Sequence, residues 1–140
     1  MIAELKHILL AEDNANDVEL TLEALRENHL VNEVVVTRDG AEALDYLYQR
    51  NRYAGRAGGR PALVLLDLKM PEKDGFFVLE TLKARKMDVR VIVLTAYADV
   101  KSAIDSAKLG ASDFISKPYD FDELLITIRK VLQKEKEHED

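Results

Sequence analysis

The chain has 140 residues, close to the allotment of one domain, so a single domain over 1–140 with no separate output module is expected. Hydrophobic residues make up 47% and charged residues 33%, an ordinary globular mixture that argues against disorder. No cysteine is present, which excludes disulfides, thiolate metal sites and cysteine nucleophiles, and the net charge of −6 disfavours nucleic acid or an anionic membrane as partner.

Five short apolar runs alternate with five amphipathic stretches. The runs are His7–Ala11, Glu33–Thr37, Ala62–Leu66, Val89–Leu94 and Asp113–Ser116. Three of them are unbroken blocks of Val, Ile and Leu, as in parallel strands covered on both faces. The intervening stretches place apolar residues at helical spacing, for example Val18, Leu22 and Leu25, or Leu124, Ile128 and Val131. Asn16 before Glu19, Asp39 before Glu42 and Asp120 before Glu123 have capping-box spacing. Asp74 and Asp99 are the expected caps of the third and fourth helices, and Gly110 the C-terminal cap of the fourth. The expected fold is α/β: a doubly wound five-stranded parallel sheet in the order 2-1-3-4-5, with helices on both faces.

Two segments stand apart. Arg50–Arg60 carries four arginines and no acid, and is expected to be a solvated, mobile loop with partner docking as its second reading. It matches no nucleotide-binding glycine pattern. The run from Lys134 to Asp140 reads as a solvated charged tail after a core of about 6–132. No apolar run approaches the ~18 residues of a membrane span, and Met1–His7 lacks a signal-peptide core, so a cytoplasmic protein is expected. His7, His29 and His138 share no ligand spacing.

In an open α/β sheet, ligands bind beyond the carboxyl ends of the strands. Glu12 and Asp13 follow the first run, Asp67 the third, Thr95 the fourth, and Lys117-Pro118 the fifth. Three carboxylates, a hydroxyl and an ammonium therefore meet on one rim. Carboxylates so close repel one another unless a cation sits between them. With oxygen donors alone that cation is hard and divalent, and Mg²⁺ fits best. A carboxylate beside Mg²⁺, a lysine and a hydroxyl suits phosphoryl chemistry with Asp67 as acceptor.

The acidic pair Glu12-Asp13, the segment from Asp67 to Gly75 (DLKMPEKDG), Thr95-Ala96 and Lys117-Pro118 together resemble a response-regulator receiver domain over roughly Lys6 to Leu132. The resemblance implies that Asp67 accepts a phosphoryl group from a phosphohistidine of a partner histidine kinase. It implies Mg²⁺ held by Asp13, Asp67 and the backbone carbonyl of Lys69, with Glu12 acting mainly through a water. It further implies that Thr95 hydrogen-bonds the phosphoryl group, that Lys117 pairs with it, that Phe114 is the aromatic switch, and that Lys117-Pro118 is cis. Phosphorylation would then shift a pre-existing equilibrium and remodel the surface of the fourth helix, fifth strand and fifth helix. A Glu-Asp pair stands where many relatives have Asp-Asp, and Lys69 and Tyr97 occupy positions that tune dephosphorylation.

A narrower resemblance rests on Glu12–Val18, Leu20–Leu25, Arg38–Leu44 and the long loop before the third strand. These are similar to stand-alone receivers paired with phytochrome-type histidine kinases, which implies such a kinase as partner and a homodimer as assembly. Output is expected through a protein partner or through back-transfer to a kinase, since no DNA-binding segment follows the fifth helix. The chain is expected to be a signalling protein rather than an enzyme acting on external substrates. Two alternatives are a non-phosphorylated receiver-like scaffold and an aspartyl-phosphate phosphohydrolase. The first usually lacks an acceptor, acid or lysine that is present here. The second needs an acid two residues after the nucleophile, where this chain has Lys69.

Overall fold

The computed structural model describes residues 7–27, 33–70, 72–96, 100–118 and 120–139. Strands β1 (His7–Ala11), β2 (Glu33–Thr37), β3 (Leu63–Asp67), β4 (Val91–Thr95) and β5 (Asp113–Ser116) form one parallel sheet in the order β2-β1-β3-β4-β5. Helices α1 (Ala15–Glu27), α2 (Gly40–Leu47), α3 (Gly75–Ala84), α4 (Val100–Lys108) and α5 (Phe121–Glu139) alternate with the strands. This is the doubly wound arrangement expected from the alternation.

Side chains of a strand alternate between faces, and both faces are covered here. Leu9, Val64, Leu66, Val91 and Val93 pack on Ala43, Leu44 and Leu47 of α2 and on Val78, Leu79 and Leu82 of α3. Their neighbours Ile8, Leu10, Leu63, Leu65, Ile92 and Leu94 pack on Val18 and Leu25 of α1 and on Leu124, Ile128 and Val131 of α5. That double coverage is why β1, β3 and β4 read as continuous aliphatic blocks. It also leaves the two ends of the sheet as the places where polar groups can gather.

Two strand boundaries differ from the sequence reading. β3 begins at Leu63 and ends on Asp67, and β4 begins at Val91 and ends on Thr95. The ladder between them starts at the Val64–Val91 pair, so Val89 and Arg90 lie before the sheet. Asp67 and Thr95 are thus the last residues of their strands rather than the first beyond them, and each takes a fixed place in the ladder.

Helix starts follow local hydrogen bonding. Asp39 accepts from the Glu42 amide at 2.7 Å, Asp74 from Phe77 at 3.0 Å and Asp120 from Glu123 at 2.6 Å, as their spacing predicts. The Glu42 carboxylate reaches back one residue further than a capping box requires, to the Arg38 amide. For α1 the cap is Asn14, whose side-chain oxygen accepts from the Asp17 amide at 3.0 Å, and not Asn16. The chain turns immediately after Asp13, which puts Asn16 inside the first turn. Gly110 closes α4 with φ +99, while Asp99 lies outside the described residues.

The arginine-rich segment is not a free loop. It contains a 3₁₀ turn over Asn51–Tyr53, and its four arginines have intramolecular partners. Arg50 pairs with Asp45 at 2.9 Å, and Arg52 with Glu42 at 3.4 Å. Arg56 lies 3.8 Å over the Tyr46 ring and donates to the carbonyls of Tyr46 and Gly59. Arg60 donates to the Asp88 carbonyl. The Tyr53 hydroxyl donates to Glu42 at 2.7 Å. The stretch is a fastened cover leading into the amino end of β3, opposite the rim where the carboxylates meet.

At that amino end, His7 is buried and its Nε2 has no hydrogen-bond partner among the described residues. Its ring meets Tyr46 edge-on, with centres 6.1 Å apart. Burial holds its pKa below the ordinary value; Glu33 opposes that effect and Arg56 adds to it.

Candidate functional site

The carboxyl ends of β1, β3, β4 and β5 bring the residues of the sequence pattern to one rim. Glu12 leaves β1 and is 1% exposed, held in place by its backbone N–H, which donates to the Thr37 carbonyl at 2.9 Å. Asp67 ends β3 with its side chain buried, and one carboxylate oxygen accepts from the Lys69 amide at 3.2 Å. Asp13 is exposed at the mouth of the site. One carboxylate oxygen from each of Glu12, Asp13 and Asp67 can be chosen so that all lie within 4.8 Å of one another.

Lys117 crosses from the end of β5 into this group. Its Nζ lies 2.6 Å from Glu12 Oε1, 3.0 Å from Asp17 Oδ2 and 3.5 Å from Asp67 Oδ2. The Lys117 amide donates to the Thr95 carbonyl at 2.7 Å, which helps to aim it; the Lys117-Pro118 bond is cis, as the resemblance implies.

The electrostatics are a balance of opposed effects. Burial pushes the Glu12 carboxyl up, the Lys117 hydrogen bond pulls it down, and the neighbouring Asp67 pushes it up again, leaving it at about 7. Burial alone would lower the Lys117 ammonium. Its hydrogen bonds to Glu12 and Asp17 and the charge of Asp67 outweigh that, and hold it well above its ordinary value. Lys117 is therefore charged throughout the physiological range.

The donor chemistry fits a hard divalent cation. Glu12, Asp13 and Asp67 offer oxygen only, with no sulfur or imidazole in the group, and two of the three are buried. Mg²⁺ asks for few protein carboxylates and keeps several waters, which the exposed side of Asp13 can accommodate. The Lys69 carbonyl, two residues past Asp67, belongs to the loop that leaves this end of β3.

Thr95 is fully buried at the end of β4, one strand over from Asp67. Phe114 is partly buried on β5, level with Val93, and packs on the α2–α3 side of the sheet. Tyr97 lies outside the described residues.

Two contributors escaped the sequence reading. Asp17 reaches Lys117 from the first turn of α1, and no local signal could have paired residues 100 positions apart. Gly75 starts α3 against the end of β3: a Cβ there would lie 2.6 Å from the Asp67 carbonyl oxygen and 2.7 Å from Leu68 Cα. Its position at the end of the Asp67–Gly75 segment was the available signal.

Residues 8–129 match the response regulator receiver domain family. The chain belongs to that family. Among solved structures, this receiver is similar to the bacteriophytochrome response regulator AtBRR, with 46% identity over 92% of this chain and 94% of that one, at a TM-score of 0.79. It is also similar to the phosphorylated cyanobacterial phytochrome response regulator RcpA, with 35% identity over 91% of each chain and a TM-score of 0.78. Sporulation initiation phosphotransferase F of Bacillus subtilis (strain 168) is 36% identical over 94 residues, 67% of this chain and 68% of its own. The chain spans only 16% to 38% of the length of several longer curated relatives that it also matches.

Proposed function

We propose that this receiver is a single-domain response regulator of a two-component phosphorelay, with Asp67 as its phosphoacceptor. One observation carries the reading: a buried carboxylate at the end of a central strand, 3.5 Å from a partly buried ammonium, with two further carboxylates beside it. Receiver domains take phosphoryl groups from histidine kinases and generally bind Mg²⁺, and the residues of this rim suit both.

An Asp67 oxygen forms a bond to phosphorus as the P–N bond of a kinase phosphohistidine breaks, and the bonding pair returns to the imidazole nitrogen. Lys117 supplies positive charge to the incoming phosphoryl oxygens, and Thr95 supplies a hydroxyl donor. Glu12, Asp13, Asp67 and the Lys69 carbonyl would hold Mg²⁺, which when bound offsets the negative charge that gathers on the phosphoryl group. The buried Thr95 and the half-buried Phe114 are the groups through which the new charge changes the surface of α4, β5 and α5.

The likeness to AtBRR and RcpA supports a phytochrome-type histidine kinase as the phosphodonor; a homodimer is the assembly that the narrower sequence resemblance implies. A cytoplasmic location agrees with the absence, among the described residues, of any helix long and apolar enough to cross a membrane. The chemistry is confined to self-phosphorylation and its reversal, so the protein is a signalling component rather than an enzyme with external substrates.

The test is intact mass after incubation with acetyl phosphate and Mg²⁺. A gain of one phosphoryl group in the wild type, absent without Mg²⁺ and absent in Asp67→Asn, is expected. No gain in the wild type, together with no binding of beryllofluoride, would leave a receiver-like scaffold.

A further inference from the structure

The first turn of α1 brings to Lys117 a carboxylate that phosphoryl acceptance does not require. Because Asn14 caps the helix, Asp17 stands where its Oδ2 meets Lys117 Nζ at 3.0 Å. An ammonium has three N–H donors. Two are engaged in short bonds to Glu12 and Asp17, at 2.6 and 3.0 Å, while Asp67 stands off at 3.5 Å. The carboxylate nearest the reaction thus has the weakest hold on the lysine.

The three carboxylates differ in how readily they can let go. The Asp17 side chain is 35% exposed, against 2% for Glu12 and 7% for Asp67. Water can solvate a released Asp17 at small cost, whereas the two buried groups have no such recourse. Asp17 is also placed on a different element from the other two, so it can loosen without disturbing either strand end.

Resting on the reading of Asp67 as phosphoacceptor, we propose that Asp17 is a positioning residue that draws Lys117 away from Asp67 in the resting state and yields it to the phosphoryl group. The contact sets a threshold. A phosphoryl group that pulls Lys117 toward Asp67 does so at the expense of a half-buried pair, and the free energy lost from that pair is subtracted from the stability of the phosphorylated state.

The experiment measures beryllofluoride affinity at saturating Mg²⁺ for the wild type, Asp17→Asn and the double variant Asn16→Asp/Asp17→Asn. Asp17 is also an acid in a first helical turn, so its loss removes a favourable charge from the helix N-terminus. The double variant returns that charge from the exposed neighbouring position, out of place for the Lys117 contact. Affinity is expected to rise roughly two- to fivefold in both variants, the upper part of the range for a partly exposed charge pair. The Lys117 Nζ resonance in ¹⁵N NMR of the resting protein is expected to shift, with faster proton exchange, in both.

Unchanged or weaker beryllofluoride binding in Asp17→Asn overturns the proposal, as does an unmoved Lys117 resonance. Return of the double variant to wild-type affinity also overturns it, because the effect would then belong to the helix terminus. Failure of the wild type itself to bind beryllofluoride is a different result: it removes the phosphoacceptor reading, and the proposal with it.

Discussion

Substitution of Gly75 by alanine tests how rigidly Asp67, the proposed phosphoacceptor, is held. Gly75 is the first residue of α3, and its amide donates to the Leu68 carbonyl at 2.9 Å, so the helix start and the strand end are tied together. An added Cβ would meet the Asp67 carbonyl oxygen at 2.6 Å and Leu68 Cα at 2.7 Å. Both are backbone atoms that no rotamer change can move aside. Reaching ordinary contact needs about 0.8 Å of retreat, and overpacking of this kind costs about 1–3 kcal/mol. The helix-propensity gain of alanine, at most about 1 kcal/mol and smaller at a helix start, does not cancel it. Urea unfolding should therefore show a net loss. The functional loss should be larger in relative terms, because a shift near 1 Å in a reacting group can cost about a hundredfold in rate. Phosphorylation by acetyl phosphate is expected to slow by roughly ten- to hundredfold, followed as intact mass against time. Wild-type stability with a wild-type rate would refute the reasoning, since it would mean that the end of β3 adapts freely.

Other substitutions separate the site from the rest of the fold. Gly110→Ala meets nothing within 4 Å but must hold φ +99, so it should cost about 1–2 kcal/mol while leaving the phosphorylation rate unchanged. His7 has a lowered pKa in the fold, so as pH falls below its ordinary value of about 6.5 the unfolded chain takes up a proton that the fold resists. Its contribution is intact above that pH and is lost as pH falls toward the folded value; His7→Phe should flatten the urea-midpoint profile between about pH 7 and 5. A profile as steep as the wild type's would assign the slope elsewhere. Glu42→Ala removes the acceptor of the Tyr53 hydroxyl, of Arg52 and of the Arg38 amide. Burial and that acceptor push Tyr53 up to about 12, so ultraviolet titration should find one tyrosine moved toward 10, with faster amide exchange across 50–56. Unchanged exchange there would show that the cover is fastened by its arginines alone.

Much of this architecture was written in local pattern. Blocks such as Leu63–Leu66 and Val91–Leu94 are legible because both faces are buried, leaving no solvent side to interrupt the aliphatic run. Strand ends were less so: Asp67 and Thr95 look like the first polar residues beyond a strand, and only the partner's register shows that they complete it. Asn14 and Asn16 each precede an acid by three residues, so spacing could not choose between them. The point where β1 gives way to the turn decides. Asp17 and Lys117 share no local signal, since topology alone brings α1 beside the end of β5. The Arg50–Arg60 segment read as free charge for a related reason. Its partners Tyr46 and Asp45 lie on α2, where one resembles core and the other an ordinary surface acid.

The rim divides into fixed and movable members. Asp67 lies in a strand whose neighbours on both sides are laddered, and the loop beyond it is pinned at several points. Glu72 and Lys73 adopt left-handed backbone, with φ of 49 and 79, conformations that persist in non-glycine residues only when the surroundings impose them. The surroundings do so here: the Ala41 amide donates to the Glu72 carbonyl at 3.0 Å, and Gly40, lacking a side chain, leaves the space that the Lys73 carbonyl occupies. The start of α2 thus braces the loop that leaves Asp67. Lys117 has the opposite character. Its long stem carries one charge among three acceptors on three elements, at distances from 2.6 to 3.5 Å, and a displacement of under 1 Å reorders which acceptor it favours. A phosphoryl charge on Asp67, as proposed, would therefore meet a braced strand end and a counter-ion shared among three acceptors, and the response is expected to begin with the lysine.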